Sequence, residues 1–219
     1  MKPSEGTVKR VLEYIGDFLD TSGFLHTIQS KAPVHKKAVT LAMSMDSTSV
    51  LIRQQGWKHA TAATVSTYDS QGNRLDTVYI GRMPERGKVQ AKRLLAQEVE
   101  AITEKHDFKY TVCIADGARD LWLFFRKKYP NAIHVVDFFH VCEHLSRLSE
   151  LFFSDPSEAK AWYNKQKIVL KEDPEGASKV IRAARYRRSK AKHNPEIESE
   201  LKYLQRNRKR MNYFELQQN

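Results

Sequence analysis

The chain has 219 residues, enough to bury a substantial core in one large domain or in a domain with an appendage. Its net charge of +11 favours a polyanionic partner over a plain solvated surface, and residues 145–219 contain 17 basic and 10 acidic side chains. Two cysteines, no apolar run long enough to span a membrane and no secretion signal predict a cytoplasmic protein without a disulfide framework.

The first predicted element is a helix within residues 1–30, where apolar side chains recur at helical spacing between Val8 and Leu19. We expect this helix to serve packing, and we assign no chemistry to it. It belongs to an N-terminal segment ahead of two larger regions. The predicted domains are therefore residues 1–37, a core over residues 38–144 and a helical region over residues 145–219.

Three strands are predicted to follow, over residues 38–45, 60–68 and 75–83. The first is an apolar alternating run that leads directly into Asp46. The second and third flank the turn-forming residues 69–73, which predicts a hairpin. We expect the three strands to form an antiparallel meander, with Asp46 at the end of its first strand.

Helices and strands alternate in the next stretch. A helix over residues 89–106, with Val89, Leu95 and Val99 inward, precedes residues 110–136, which predict a buried strand, a helix and a second buried strand. A unit of this length implies parallel strands. The whole order, β-β-β-α-β-α-β-α, is typical of an α/β protein with a ribonuclease-H-like mixed sheet of five strands.

Carboxylates stand at the ends of these strands, where open α/β sheets bind ligands. Asp116 follows the first strand of the strand-helix-strand unit, and Asp137 follows the second. The predicted topology places Asp46 and Asp116 on adjacent strands, where a divalent cation would relieve their repulsion. Mg²⁺ or Mn²⁺ suits such oxygen ligands, and two ions about 4 Å apart can drive in-line phosphoryl chemistry.

The last third of the chain is predicted to be helical and basic. Three helices, over residues 156–171, 174–189 and 195–216, each begin at an Asx-proline pair with a glutamate nearby. A solvated helical face is the open alternative, but two basic clusters on consecutive helices, interleaved with Tyr186, Tyr203, Tyr213 and Phe214, favour contact with DNA phosphates. The predicted DNA-binding residues are Arg185, Arg187, Arg188, Lys190, Lys192, Arg206, Arg208, Lys209 and Arg210.

Three motifs carry a family resemblance: Met45-Asp46-Ser47-Thr48, Ile114-Ala115-Asp116-Gly117-Ala118 before Leu121-Trp122, and the run from Asp137 to Leu145, DFFHVCEHL. Together they resemble the DDE transposases of bacterial insertion sequences, specifically the Kra type, which is related to Mutator-like transposases. The resemblance implies DNA transposition, a DNA recombination reaction in which DNA strands are cut and transferred with the help of Mg²⁺ or Mn²⁺. Its partners would be the transposon ends and the target DNA.

The resemblance also implies roles for particular residues. Asp46 and Asp116 would be the first two catalytic, metal-binding acids, and Asp137 and His140 would form a D-x-x-H element that supports them, with His144 nearby. The late helices resemble the all-helical insertion that many such transposases place before their third acid.

The third acid of the family is a glutamate in a Gly-Ser-Gly-rich context after the insertion, and it has no counterpart before Asn219. Glu215 lies in the predicted third helix and lacks that context. The resemblance therefore implies a truncated transposase core, which we expect to bind metal weakly and to bind DNA without cutting it. An inactive DNA-binding remnant is the alternative, and a homodimer stays open.

The run His140-Val141-Cys142-Glu143-His144 also satisfies H-x-x-E-H, the inverted zincin motif of zinc peptidases. That interpretation leaves Asp46, Asp116 and the basic helices without a role. A plainer alternative is that both histidines pack at a helix start or support the acidic site. We therefore rank a zinc metallopeptidase below the two DNA-related functions.

Overall fold

The computed structural model describes residues 34–54 and 56–218. The predicted N-terminal helix lies outside these residues. The elements follow one another as β1 (Thr40–Ile52), β2 (Gly56–Tyr68), β3 (Arg74–Arg82), α1 (Val89–Thr103), β4 (Tyr110–Ala115), α2 (Arg119–Lys128), β5 (Ile133–Val136), α3 (Phe138–Phe152), α4 (Pro156–Glu172), α5 (Gly176–Lys190), α6 (Pro195–Asn207) and α7 (Tyr213–Gln218). This is the predicted order of strands and helices through α3.

The five strands form one mixed sheet in the order β3-β2-β1-β4-β5. The first three are antiparallel neighbours, whereas β4 and β5 pair in parallel. The prediction of an α/β protein with a mixed five-stranded sheet is confirmed. The chain divides into two compact units at the Thr111–Val112 peptide bond, here called the N-terminal and C-terminal units.

The N-terminal unit is organised by a long hairpin. The prediction that the first strand ends before Asp46 is wrong, because β1 continues to Ile52. Its second half pairs with the first half of β2, which begins at Gly56, and Asp46 stands opposite Ala62 in the middle of this ladder. Ser47 and Thr48 are held in the extended conformation by their pairing with Thr61 and Ala60 of β2.

Helix α1 packs on β2 and β3 with Leu95 and Val99 buried as predicted, together with Ile102. Val89 is instead 62% exposed, because it is the first residue of the helix and follows a 3₁₀ turn over Arg86–Lys88. The carboxylate of Glu85 caps this helix, accepting hydrogen bonds from the backbone N–H groups of Gln90 and Ala91 at 2.9 and 2.7 Å.

The C-terminal unit begins with the predicted strand-helix-strand unit. β4 and β5 are parallel, and α2 lies between them in sequence with Leu121, Trp122 and Phe125 buried. Cys113 in β4 and Cys142 in α3 are buried free thiols, as expected for a chain without a disulfide framework. Burial raises the pKa of the Cys113 thiol to about 12.

Two of the three predicted helix starts are capped as expected. The side chains of Asp155 and Asn194 accept hydrogen bonds from the backbone N–H groups of Ser157 and Glu196 at 2.8 and 2.9 Å. The remaining helix, predicted over residues 174–189, begins two residues later than predicted, at Gly176. The reason is that the Asp173 side chain accepts a hydrogen bond from the N–H of Glu175, which closes a turn ahead of α5.

The predicted helix over residues 195–216 is two helices, which corrects the sequence prediction. α6 ends at Asn207, a 3₁₀ turn follows over Arg208–Arg210, and α7 begins at Tyr213. The turn allows Met211 and Tyr213 to be buried, and the Tyr213 hydroxyl donates to the carbonyl of Val136 in β5 at 2.8 Å. A straight helix would lose this contact. Across the described part of the chain, no helix has the length and apolar character needed to cross a membrane.

Candidate functional site

Asp46 lies on the exposed face of β1. The alternation of the strand buries Met43 and Met45 completely and turns Asp46 to the other side. One of its carboxylate oxygens, Oδ1, accepts a hydrogen bond from the backbone N–H of Ser47 at 2.6 Å. This contact is local. The backbone of β1 therefore positions the Asp46 carboxylate, and no distant side chain among the described residues of the N-terminal unit is seen to hydrogen-bond to it.

Asp116 is half-buried and is held at two points in the C-terminal unit. Its Oδ1 accepts the backbone N–H of Ala118 at 2.8 Å, which closes the turn between β4 and α2. Its own carbonyl accepts the hydroxyl of Tyr203, a residue of α6, at 2.8 Å. The helical region thus contacts the backbone of the predicted second catalytic acid directly.

Gly117 allows Tyr203 to approach this turn. Its φ of +101° is in the region that favours glycine, and a Cβ there would stand 2.7 Å from Cε2 of Tyr203 and 3.1 Å from Nδ2 of Asn207. The glycine is therefore required twice, once by its own backbone and once by the side chains of α6.

Asp137 is the N-cap of α3. Its Oδ1 accepts the backbone N–H of His140 at 2.8 Å, and its own N–H donates to the carbonyl of Ala115 in β4 at 2.9 Å. The D-x-x-H spacing thus has a structural basis, because an N-cap and the third helical residue are joined in this way. Asp137 also binds the end of β5 to the end of β4.

His144 lies within a partly buried cluster. Its ring stacks on Tyr203 with ring centroids 3.5 Å apart, and its Nδ1 is hydrogen-bonded to the carboxylate of Glu200. Burial lowers the pKa of His144, which the Glu200 carboxylate partly offsets and the charges of Arg147 and His140 lower further. Within the described residues its Nε2 is buried without a hydrogen-bond partner.

The H-x-x-E-H residues, His140, Glu143 and His144, share one face of α3. The two imidazole rings are 5.1 Å apart between centroids, and Glu143 reaches His140 with 3.5 Å between Oε2 and Nδ1. His144 directs Nδ1 to Glu200. Over residues 34–54 and 56–218, no group of three or more His, Cys, Asp or Glu side chains is arranged to hold a metal ion.

Three residues of α6 contribute to this cluster, Glu200, Tyr203 and Asn207, of which the sequence analysis singled out only Tyr203, and that one as part of a basic surface. They recur at i, i+3 and i+7, and so share the buried face of the helix with Leu204. A polar stripe on the otherwise apolar face of an amphipathic helix is the sequence signal that could have identified them.

The predicted DNA-binding residues fall into two groups. The first group, the α5 basic run, comprises Arg185, Arg187, Arg188, Lys190 and Lys192. Several of its members already contact the protein: the Arg187 guanidinium lies 4.4 Å from the ring centroid of Phe153, and Arg188 pairs with Glu198 at 2.5 Å. The second group, Arg206, Arg208, Lys209 and Arg210, lies at the α6–α7 turn, where Arg206, Lys209 and Arg210 line a cavity.

The predicted interleaving of aromatic and basic residues is only partly correct. Tyr186 is 58% exposed beside Lys190, but Tyr203 and Tyr213 are buried. Burial raises the pKa of both phenols, and the neighbouring Asp116 carboxylate adds to the effect at Tyr203. These two tyrosines pack the helices against the ends of β4 and β5, and they do not belong to an exposed DNA-binding surface.

The chemistry of Asp46 and Asp116 fits a divalent cation. Each carboxylate uses Oδ1 for one neighbouring backbone N–H, and carboxylate oxygens are the hard ligands that Mg²⁺ and Mn²⁺ take. Asp46 is exposed and Asp116 half-buried, so water can reach both. Neither belongs to a group of three potential ligands among the described residues.

Glu215, the other acid weighed in the sequence, lies exposed on α7, where its carboxylate accepts a hydrogen bond from the side chain of Asn212. No protein-family model matches the chain, and no curated protein matches it in sequence.

Proposed function

We propose that the chain is the core of a DDE-type transposase, which binds DNA and takes part in metal-dependent cleavage and transfer of DNA strands. The observation that carries the proposal is the order of the sheet, β3-β2-β1-β4-β5, with Asp46 on β1 and Asp116 directly after β4. This order is compatible with a ribonuclease-H-like arrangement. The family resemblance of the Asp46, Asp116 and Asp137–Leu145 motifs supports it independently.

In this proposal, Asp46 and Asp116 supply carboxylate oxygens to Mg²⁺ or Mn²⁺. The bound ion would lower the pKa of an attacking hydroxyl and offset the charge that develops on phosphate. Tyr203 and Gly117 hold the backbone of Asp116, and Asp137 fixes the start of α3 beside it. His140 and His144 act as supporting residues, with His144 held by Glu200.

Metal binding tests the role of the two acids. The loss of free Mn²⁺ signal in electron paramagnetic resonance measures binding by the purified chain. We expect Asp46→Asn and Asp116→Asn each to weaken binding, since each removes a charged oxygen ligand. Asp76→Asn removes an exposed strand aspartate of β3 and should leave binding unchanged. Unchanged Mn²⁺ binding in both site variants would contradict the proposed metal role.

A second candidate function is DNA binding without strand chemistry, which the exposed basic residues of the C-terminal unit favour. Because we expect this chain to bind DNA without cutting it, the two functions differ in whether Mn²⁺ contributes to DNA binding. A mobility shift of plasmid DNA that Mn²⁺ strengthens in the native chain but not in Asp116→Asn supports the transposase core, since the bound ion would contact phosphate oxygens. A shift that is the same with and without Mn²⁺ supports the second candidate, and the absence of any shift contradicts the two together.

A further inference from the structure

A cleft of about 560 Å³ opens in the C-terminal unit beside the edge strand β5. Its walls are α2, β5 and the turn from α6 to α7. Four cationic side chains line it, Arg126, Arg206, Lys209 and Arg210, with Glu215 as the one carboxylate in the lining. The volume lies within the usual range of ligand sites and exceeds what a single phosphate group needs.

We propose that this cleft binds the phosphates of a nucleic-acid strand, with Arg126 as a phosphate ligand alongside Arg206, Lys209 and Arg210. The inference rests on the DNA-binding part of the proposed function and is independent of its strand chemistry. It adds Arg126, which belongs to α2 and stands outside both basic clusters of the sequence. It also places Arg206, Lys209 and Arg210 in one cleft, whereas the sequence placed them only on a helix.

The four cations outnumber the one carboxylate in the cleft lining, so the cleft has an excess of positive charge. Within the described residues, none of the four cations forms an ion pair with a carboxylate. Arg188 of the α5 basic run, in contrast, is paired with Glu198. Like charges in excess repel one another, and an anion in the cleft would relieve that repulsion.

Arg210 shows the effect of this crowding. Its guanidinium is half-buried, lies 4.5 Å from the ring centroid of Trp122 and donates to Oδ1 of Asn207 at 3.0 Å. Burial lowers its pKa, and the charges of Arg126 and Arg206 lower it further. The side chain is thus held in one place before any ligand arrives, which reduces the entropy lost on binding.

The choice of phosphate over carboxylate follows from the composition and openness of the cleft. Three of the four cations are arginines, whose planar forks bind phosphate oxygens in pairs. Arg126, Arg206 and Lys209 are exposed, so the cleft is open to a long polyanion. The net charge of +11 points to the same class of partner.

Salt-dependent binding of a fluorescent DNA duplex to the full chain tests the inference. The cleft variant Arg126→Gln/Lys209→Gln removes two exposed charges, and only one recorded bond, from Arg126 Nε to the carbonyl of Trp122, is lost. We expect the slope of log K against log salt to fall by about two. The control variant Lys160→Gln/Lys165→Gln, two exposed lysines of α4 that line neither cavity, should keep the native slope.

Two further measurements distinguish the loss of a phosphate site from a loss of DNA affinity through misfolding of the variant. Pyrophosphate should raise the melting temperature of the native and control chains but not of the cleft variant. Arg126→Lys preserves the charge but removes the paired hydrogen bonds, so it should weaken DNA binding while leaving the salt slope unchanged.

The outcomes separate the inference from the proposed function. If native and cleft-variant chains bind DNA with the same slope, the inference is wrong while DNA binding stands. No DNA binding by the native chain would overturn both. Equal binding of polyglutamate and DNA, lost together in the cleft variant, would overturn the phosphate assignment in favour of an acidic peptide.

Discussion

Asp46 and Asp116 are the two predicted catalytic acids, and the two compact units hold them in different ways. Asp46 is exposed on a long strand and makes one recorded hydrogen bond, to the next residue. Asp116 is half-buried, and its carbonyl binds a tyrosine 87 residues later in the chain. The comparison teaches that the position of Asp116 depends on the helical region, whereas that of Asp46 depends on its own hairpin.

The largest effect should come from Gly117→Ala. The added Cβ would clash with the Tyr203 ring and would also force alanine to a φ of +101°. We expect the free energy of unfolding of the C-terminal unit to fall by about 3 kcal/mol, as measured in urea. The control is Gly72→Ala, where φ is +79° and a Cβ meets nothing within 4 Å. That change should cost only about 1–2 kcal/mol. Equal costs at both glycines would show that Tyr203 does not constrain the Asp116 turn.

Tyr203→Phe should have the next largest effect. It removes the hydroxyl that donates to the Asp116 carbonyl, and the loss of one such bond costs about 1–2 kcal/mol. Tyr213→Phe is a matched control, because the Tyr213 hydroxyl donates to a carbonyl of β5 at the same distance of 2.8 Å.

The two tyrosine variants should lose similar stability in urea, but only Tyr203→Phe should weaken Mn²⁺ binding by the native-like chain. That difference would show that Tyr203 positions Asp116 as well as packing α6. If both variants, or neither, change Mn²⁺ affinity, the hydroxyl of Tyr203 has no special relation to the acid.

Alanine substitutions at Asp46 and Asp116 compare how much each carboxylate contributes to the free energy of unfolding. Asp116→Ala removes the oxygen that closes the turn onto the Ala118 N–H, which should cost about 1 kcal/mol. Asp46→Ala changes an exposed strand position and should stay within about 0.5 kcal/mol of the native stability. Urea unfolding of both variants measures the difference. A larger cost at Asp46 would mean that its carboxylate has structural partners that its hydrogen bond to Ser47 does not reveal.

The smallest effect expected is a pH dependence from His144. Its pKa is lowered in the folded state, chiefly by burial, so the unfolded chain binds more protons. The stabilising contribution is therefore complete above the unfolded pKa of about 6.5 and is lost as the pH falls through the folded value. The free energy of unfolding, followed from pH 8 to pH 5, should decline less in His144→Gln than in the native chain.

Glu200→Gln sharpens this measurement. The carboxylate of Glu200 raises the pKa of His144 against the larger effect of burial, so its removal should lower that pKa further. Titration of the imidazole by nuclear magnetic resonance would detect the change. A rise in the pKa of His144 would contradict the contact with Glu200.

Local sequence patterns were sufficient to predict much of the secondary structure of this protein. The order of strands and helices through α3, the parallel pairing of β4 and β5, and the caps at Asp155 and Asn194 follow from periodicity and from short-range hydrogen bonds. These features involve residues that are near one another in the chain, so their physical causes are visible in a window of sequence. The position of Asp116 directly after β4 is of the same kind, although only Cys113 and Ala115 of this strand, which was predicted to be buried, are fully buried.

Tertiary contacts decided the rest. β1 runs past Asp46 because β2 supplies a partner for Ser47–Ile52, and the last predicted helix breaks because Tyr213 reaches the carbonyl of Val136. Tyr203 was predicted to interleave with surface cations, yet it is buried against Gly117, since the two meet only when α6 packs on the end of β4. The gathering of Arg126 with Arg210 likewise joins α2 to a turn more than 80 residues away in the chain. The energy of such contacts depends on which elements meet, and a window of sequence does not contain that information.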